Sequence, residues 1–288
     1  MLQIWELIQQ EPLLWLGLCV VVGLLVGSFL NVVILRLPLQ MHAQWRRDAA
    51  EYLEQTLPEA DKDAPGIVVP ASHCPQCRSP LRWWHNIPLL SFVLLKGRCH
   101  ACGATISWQY PLVEALAAGL ALWAGWLFGP TLLGFAVIGL GWTLLTLTVI
   151  DQRTQLLPDI IVLPLLWVGL LLNLHSGFVS LEQAVVGAVA GYMSLWIIYQ
   201  LFKLATGKEG MGFGDFKLLA ALGAWFGWMA LPAIVLLSSM VGLVWAIALR
   251  LRGSMQAGQA MPFGPFLAIA GWIYVVAGDQ LLRLMGWQ

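Results

Sequence analysis

The sequence predicts an all-α polytopic membrane protein, and three observations lead to this fold class. Of the 288 residues, 59% are hydrophobic and only 10% are charged, whereas roughly 25% of the residues in soluble domains are charged. Mean hydropathy is +0.78. Sixteen Trp residues suit the lipid–water boundary, where indole rings are enriched. The formal net charge of zero argues against nucleic-acid binding, which requires a basic surface.

A helix needs about 20 apolar residues to cross a hydrocarbon core of about 30 Å. By this measure the chain contains about eight transmembrane helices. The predicted ranges are 13–36, 109–129, 131–150, 159–176, 182–203, 216–231, 233–250 and 263–283. Only a short segment around Trp228–Pro232 separates the sixth and seventh ranges, so their boundary is the least defined.

The basic residues predict the orientation of these helices. All Lys and Arg residues except Arg283 lie at or in the loops that follow the first, third, fifth and seventh spans. Positive charge collects on the cytoplasmic side of a membrane. We therefore expect these loops to be cytoplasmic and both termini to be periplasmic. Three parts result: a first transmembrane helix (1–37), a cytoplasmic insert (38–108) and a seven-helix membrane domain (109–288).

The insert contains two C-x-x-C pairs. Cys74 and Cys77 form the first pair, and Cys99 and Cys102 form the second after 21 intervening residues. This separation is just beyond the usual spacing of about 15–20 residues, and two such pairs favour a structural, tetrahedral Zn²⁺ site with four thiolates. Disulfides are an alternative that the reducing cytoplasm disfavours, and a redox C-x-x-C would not require a second pair.

Three histidines flank the four cysteines and could support the site or replace one ligand: His73, His85 and His100.

Two carboxylates at the predicted cytoplasmic edge are candidates for catalysis. Asp151 ends the third span, and Asp215 opens the sixth within Gly212-Phe213-Gly214-Asp215. If these spans are neighbours, the two carboxylates could share one proton and activate a water molecule. Two other interpretations stay open: Asp215 as the N-cap of the sixth helix, and Asp151 as an interfacial partner of Arg153.

Several other residues near these carboxylates have expected roles. Gly212 and Gly214 are expected to permit backbone torsions closed to other residues and to let a substrate strand lie close. Asp159 follows Pro158 and is expected to cap a helix. Glu114, early in the second span, could bind a cation or hold the insert in place.

The order of motifs resembles the type IV prepilin peptidases, also called leader peptidase/N-methyltransferases, over nearly the whole chain. The motifs are Gly-Ser-Phe-Leu-Asn (27–31), the paired C-x-x-C insert, Lys-Gly-Arg-Cys (96–99), Tyr-Pro-Leu-Val-Glu (110–114), Asp151, Leu-Pro-Asp (157–159) and Gly-Phe-Gly-Asp (212–215).

This resemblance implies a bifunctional enzyme of the bacterial inner membrane. Such enzymes cleave the basic leader of type IV prepilins or type II secretion pseudopilins and then methylate the new N-terminus with S-adenosylmethionine. By the match, Asp151 and Asp215 would be the catalytic aspartates, and the four cysteines would hold zinc. Gly97 and Arg98 would serve methyl transfer. The sequence does not indicate an oligomeric state.

Two other functions compete with this one. A presenilin-like intramembrane protease would use the same aspartates without methyl transfer, although the predicted zinc insert argues against it. An ion or proton transporter could use them as a relay. A further expectation is that acidic residues of the insert attract a basic leader: Glu51, Glu54, Glu59, Asp61 and Asp63.

Overall fold

The computed structural model describes residues 11–56, 64–175, 177–253 and 261–286, and these are almost entirely helical. Their α-helices are α1 (Pro12–Tyr52), α2 (Leu90–Leu94), α3 (Gln109–Phe128), α4 (Leu132–Thr154), α5 (Asp159–Asn173), α6 (Leu181–Thr206), α7 (Phe213–Phe226), α8 (Ala230–Leu251) and α9 (Gly264–Leu284). A 3₁₀-helix, Trp83–Asn86, lies in the insert. The described residues form two isolated β-bridges and no sheet. The predicted all-α class is confirmed.

The chain divides into two compact units, the first of which ends at Thr146. In this unit α1 and α3 pack against each other as an antiparallel pair. A Cβ atom at Gly23 would lie 2.6 Å from the Ala118 Cα, and one at Gly27 would lie 2.7 Å from the Glu114 Cα. Two small residues four positions apart therefore allow close contact between the helix backbones, as in membrane helix pairs generally.

Polar side chains join both ends of the α1–α3 pair. The Trp15 Nε1–H donates to the Gly125 carbonyl at 2.9 Å, and the Asn31 Nδ2–H donates to the Tyr110 carbonyl at 3.1 Å. Beyond the predicted end of the first span, α1 continues unbroken to Tyr52. The start of the insert is thus a helical extension of the first span.

The second unit begins at Leu147 and is built around α7. Residues 215–216 and 218–226 of this helix are all buried. On one side α6 runs antiparallel to it, and Cβ atoms at Gly187 or Gly191 would collide with the α7 backbone. On another side lies α5, where the Trp225 indole N–H donates to the Leu165 carbonyl at 2.8 Å.

Six described helices are long and apolar enough to cross a membrane: α1, α3, α4, α6, α8 and α9. The predicted count of eight spans is therefore not confirmed, because α5 has 15 residues and α7 has 14, or about 21–22 Å each. The predicted range 216–231 was also wrong. The backbone of Gly227 has a φ of +78°, α7 ends before it, and α8 begins at Ala230.

Candidate active site and metal centre

Asp151 and Asp215 lie together in the second unit. Asp151 belongs to the last turn of α4, and Asp215 belongs to the first turn of α7. Both are buried, with 4% and 7% of their surfaces exposed, and their carboxylates are close enough to interact electrostatically. Burial away from water strengthens that interaction.

Gly264 is a site residue that the sequence analysis missed. Its backbone N–H, at the start of α9, donates to the Asp151 Oδ2 at 3.0 Å. A Cβ atom at Gly264 would lie only 2.6 Å from the same oxygen. The available signal was the Pro262-Phe263-Gly264-Pro265 segment, since proline near a first helical position marks a helix start.

Leu157 packs against two glycines of the site. A Cβ atom at Gly214 would lie 2.7 Å from the Leu157 Cβ, and one at Gly264 would lie 3.1 Å from the Leu157 Cδ1. The Leu157 side chain therefore lies beside the residues that flank both aspartates. A larger residue at either glycine would displace the Leu157 side chain.

The expectation that the glycines before Asp215 adopt torsions closed to other residues was wrong, and the close approach of a substrate strand stays a prediction. Gly212 has an extended backbone, with φ −81° and ψ 147°, and Gly214 is helical with no positive φ. Gly214 is required for space beside Leu157, whereas a Cβ atom at Gly212 would meet only the Asp215 Oδ2, at 3.9 Å. Gly212 also occupies the N-cap of α7, so the interpretation of Asp215 as that cap was wrong.

Asp159 does not cap α5, contrary to expectation. The N-cap is Pro158, and Asp159 is the first helical residue. Its two carboxylate oxygens accept hydrogen bonds from the Lys217 Nζ at 2.8 and 2.7 Å. This ion pair joins the first residue of α5 to the fifth residue of α7, two residues from Asp215.

The four cysteines of the insert form one cluster in the first unit. Their Sγ atoms all lie within 4.8 Å of one another. The Cys74–Cys102 and Cys77–Cys99 sulfur separations are 3.9 and 4.0 Å. Zn–S bonds of about 2.3 Å in a tetrahedron place the sulfurs about 3.8 Å apart, so the cluster fits a metal ion of this kind.

Backbone donors favour the thiolate form of two of these ligands. The backbone N–H groups of Cys77 and Gln76 hold the pKa of the Cys74 thiol at about 6, below its ordinary value. Those of Cys102 and Ala101 lower the pKa of Cys99. The neighbouring thiols instead raise the pKa of Cys102 to about 11, so the bias toward the thiolate form that binds a metal is at Cys74 and Cys99.

The flanking histidines lie outside the four-sulfur set. The His85 and His100 rings pack against each other with centroids 4.3 Å apart, and the His73 Nδ1 lies 3.1 Å from the Ala71 carbonyl oxygen. Gly97, with a φ of +66°, and the exposed Arg98 directly precede the third cysteine.

The acidic groups of the first unit have different surroundings. The Glu114 Oε2 accepts a hydrogen bond from the Leu89 N–H at 2.8 Å. This carboxylate therefore contacts the insert, as expected if it helps to hold the insert in place. Glu51 and Glu54 are exposed at the end of α1. The three remaining acids expected to attract a leader lie outside the described residues: Glu59, Asp61 and Asp63.

Apolar helices that enclose a buried pair of aspartates are features of a membrane aspartic peptidase. Residues 138–247 match the Type IV leader peptidase family, and residues 21–128 match the Bacterial Peptidase A24 N-terminal domain. With the full-length relatives described next, these matches show that the chain belongs to the type IV leader peptidase family.

Three bacterial relatives carry the name prepilin leader peptidase/N-methyltransferase. The chain is 50% identical to the protein of Pseudomonas putida, covering 98% of this chain and 99% of the relative. It is 50% identical to that of Pseudomonas aeruginosa (96% of each chain) and 47% identical to that of Neisseria gonorrhoeae (94% and 93%). No solved structure matches the chain.

Proposed function

We propose that this protein cleaves the leader peptide of type IV prepilins or type II secretion pseudopilins and then N-methylates the new N-terminal residue. The observation that carries the proposal is the buried Asp151–Asp215 pair in a chain that aligns over nearly its full length with prepilin leader peptidase/N-methyltransferases. The match to the Type IV leader peptidase family supports cleavage of a prepilin over ion transport.

Cleavage uses the two aspartates as a unit that shares one proton. Two carboxylates that interact this closely do not both ionise readily, so one is protonated when substrate binds. The ionised carboxylate takes a proton from water, whose oxygen attacks the scissile carbonyl carbon, while the protonated carboxyl donates to the carbonyl oxygen. The resulting tetrahedral intermediate collapses, the C–N bond breaks, and the leaving nitrogen is protonated by the pair. Neither Asp151 nor Asp215 is assigned a fixed role, because the pair titrates together.

Residues around the pair hold it in position. The Gly264 N–H orients the Asp151 carboxylate, and the Asp159–Lys217 ion pair anchors the first turn of α7 next to Asp215. Such preorganisation matters because a displacement of about 1 Å in a catalytic geometry costs up to about 10²-fold in rate.

Cys74, Cys77, Cys99 and Cys102 hold a structural zinc ion in this proposal. Four sulfur ligands leave no open coordination position, so the ion stabilises the insert and takes no part in hydrolysis. S-adenosylmethionine, when bound, supplies the methyl group for the new amine. Gly97 and Arg98 are proposed to serve this transfer: their match to the family pattern supports it, and the exposed Arg98 guanidinium suits the carboxylate of the methyl donor.

The proposed location is the bacterial inner membrane, with the insert and the aspartates facing the cytoplasm and both termini facing the periplasm. The distribution of Lys and Arg supports this orientation. A leader that stays in the cytoplasm would then meet the aspartates at the cytoplasmic edge. The exposed Glu51 and Glu54 would favour a basic leader through attraction that salt screens.

The proposal is tested with Asp151→Asn and Asp215→Asn in purified protein. Each change removes a carboxylate that must exchange a proton, so cleavage of a purified prepilin falls by about 10³-fold or more. Methylation of a precut pilin continues, because it does not need the pair. Mass spectrometry with and without S-adenosylmethionine measures both products.

Three results would contradict the proposal. Cleavage that persists in both variants removes the pair from catalysis. A cut mapped inside the apolar helix of the substrate indicates a presenilin-like protease. Ion flux that changes while hydrolysis is unaffected indicates a transporter.

A further inference from the structure

The short helix α2 exposes apolar side chains to its surroundings. Leu90, Val93 and Leu94 are 53%, 69% and 72% exposed. Three exposed aliphatic residues within two turns are costly in water. The level of α2 relative to α3 indicates what covers these three side chains.

A hydrogen bond fixes the level of α2 relative to α3. The Leu89 N–H, immediately before α2, donates to the Glu114 Oε2 at 2.8 Å. Since α3 begins at Gln109, Glu114 lies in its second turn, about 7 Å along the axis. The 20 residues of α3 span about 30 Å, which is about the thickness of the hydrocarbon core. If α3 just crosses the hydrocarbon core, the start of α2 lies about 7 Å inside its edge, which is the depth of interfacial helices.

An aromatic contact locks α2 at this level. The Phe92 ring packs on Trp108, directly before α3, with centroids 4.9 Å apart. The Gly97 N–H donates to the Phe92 carbonyl at 2.9 Å and closes the turn after α2. Trp108 itself is 76% exposed. An exposed indole beside the first turn of a spanning helix is typical of the membrane interface.

Apolar and basic neighbours continue the same surface. On α3, Leu112 and Leu116 are exposed, as expected of a helix that faces lipid. Directly after α2, Lys96 and Arg98 are exposed. An apolar helix face followed by basic side chains is the pattern of interfacial helices, whose cations contact anionic headgroups.

We propose that α2 is an interfacial membrane anchor that buries Leu90, Val93 and Leu94 at the acyl-chain boundary of the leaflet bordering the insert. Lys96 then lies among the lipid headgroups. The anchor would hold the segment before the third cysteine at the membrane surface, the level at which a cut prepilin presents its new N-terminus. The inference rests on the membrane location of the protein and not on the proposed reaction.

The test is photo-crosslinking to lipid. The full chain, with p-benzoylphenylalanine in place of Val93 or of Leu94, is reconstituted in nanodiscs of phosphatidylcholine and phosphatidylglycerol, irradiated and digested. The same label at Leu112 of α3 is the positive control. Arg47 is the matched negative control, because it is exposed and lies about 24 Å further along α1 than Asn31, whose side chain reaches the first turn of α3.

We expect peptides that carry the mass of a phospholipid from positions 93, 94 and 112, and none from position 47. Adducts from position 112 alone would overturn the proposal, and so would equal adducts from position 47. A crosslink from 93 or 94 to a second copy of the chain would also overturn it and would assign the face to a dimer. None of these outcomes depends on peptidase activity, so each is distinguishable from failure of the proposed function.

Discussion

Asp151 and Gly264 are 113 residues apart in the chain, yet one buried hydrogen bond joins them. The absence of a side chain at Gly264 provides the room for the Asp151 carboxylate beside this backbone N–H. A glycine far from any catalytic motif thus controls where a candidate catalytic oxygen lies.

The effect of Gly264→Ala tests this control. The added Cβ would lie 2.6 Å from the Asp151 Oδ2, so the carboxylate must move. We expect kcat for prepilin cleavage to fall by about 10- to 100-fold, with KM changed by less than about threefold, because the change displaces a reacting group rather than a binding surface. Steady-state kinetics on a purified prepilin measure both constants.

Gly139→Ala is the matched control, since a Cβ atom at that helical glycine has no other atom within 4 Å. It should leave kcat unchanged. Equal losses in the two variants would show that the effect is a general cost of replacing helical glycines. An unchanged kcat in Gly264→Ala would remove Gly264 from the positioning of Asp151.

At the scale of elements, the cysteine cluster and α7 owe their structure to different causes. The cluster depends on contacts within short segments of the chain. Each C-x-x-C turn presents two sulfurs to one point, and backbone N–H groups stabilise the thiolates of Cys74 and Cys99. By contrast, α7 depends on its neighbours. It is a helix of 14 residues that is buried by the close approach of Gly187 and Gly191 of α6.

Loss of metal should unfold the insert selectively. We expect Cys77→Ser to lose about one zinc ion per chain and to make the insert sensitive to trypsin, because three sulfur ligands no longer close the tetrahedron. Metal content by mass spectrometry and limited proteolysis in detergent measure this. Cys19→Ala, on the buried fifth cysteine in α1, is the control and should retain the metal. Retained metal in Cys77→Ser would contradict the assignment of Cys77 as a ligand.

At the scale of the whole molecule, the membrane orientation remains a prediction from charge. We expect alkaline phosphatase fused after His175 or Trp228 to be active, because these connections are predicted to be periplasmic. Fusions after Lys208 or Arg252 should be inactive, since positive charge retains these loops in the cytoplasm. Green fluorescent protein fused at the same positions should give the opposite pattern. The reversed result would invert the proposed orientation.

Much of this protein was predictable from sequence because the relevant physics is local. A long apolar segment indicates a membrane helix wherever it occurs, and a C-x-x-C pair presents its sulfurs together through the geometry of one turn. The same locality explains why the all-α class and the composition of the four-cysteine cluster agree with the structure. Pairing of Asp151 with Asp215 required a further assumption, that both lie at one membrane face.

The sequence by itself determined the helical class, the four-cysteine cluster and the candidate carboxylates. Only the tertiary structure decided that Gly264 holds Asp151, that Leu157 lies beside both Gly214 and Gly264, and that Asp159 binds Lys217 instead of capping its helix. These contacts join residues of different helices, or of a helix and the connection between α4 and α5. They follow from how helix backbones approach one another, and no periodicity or spacing within a single segment encodes that approach.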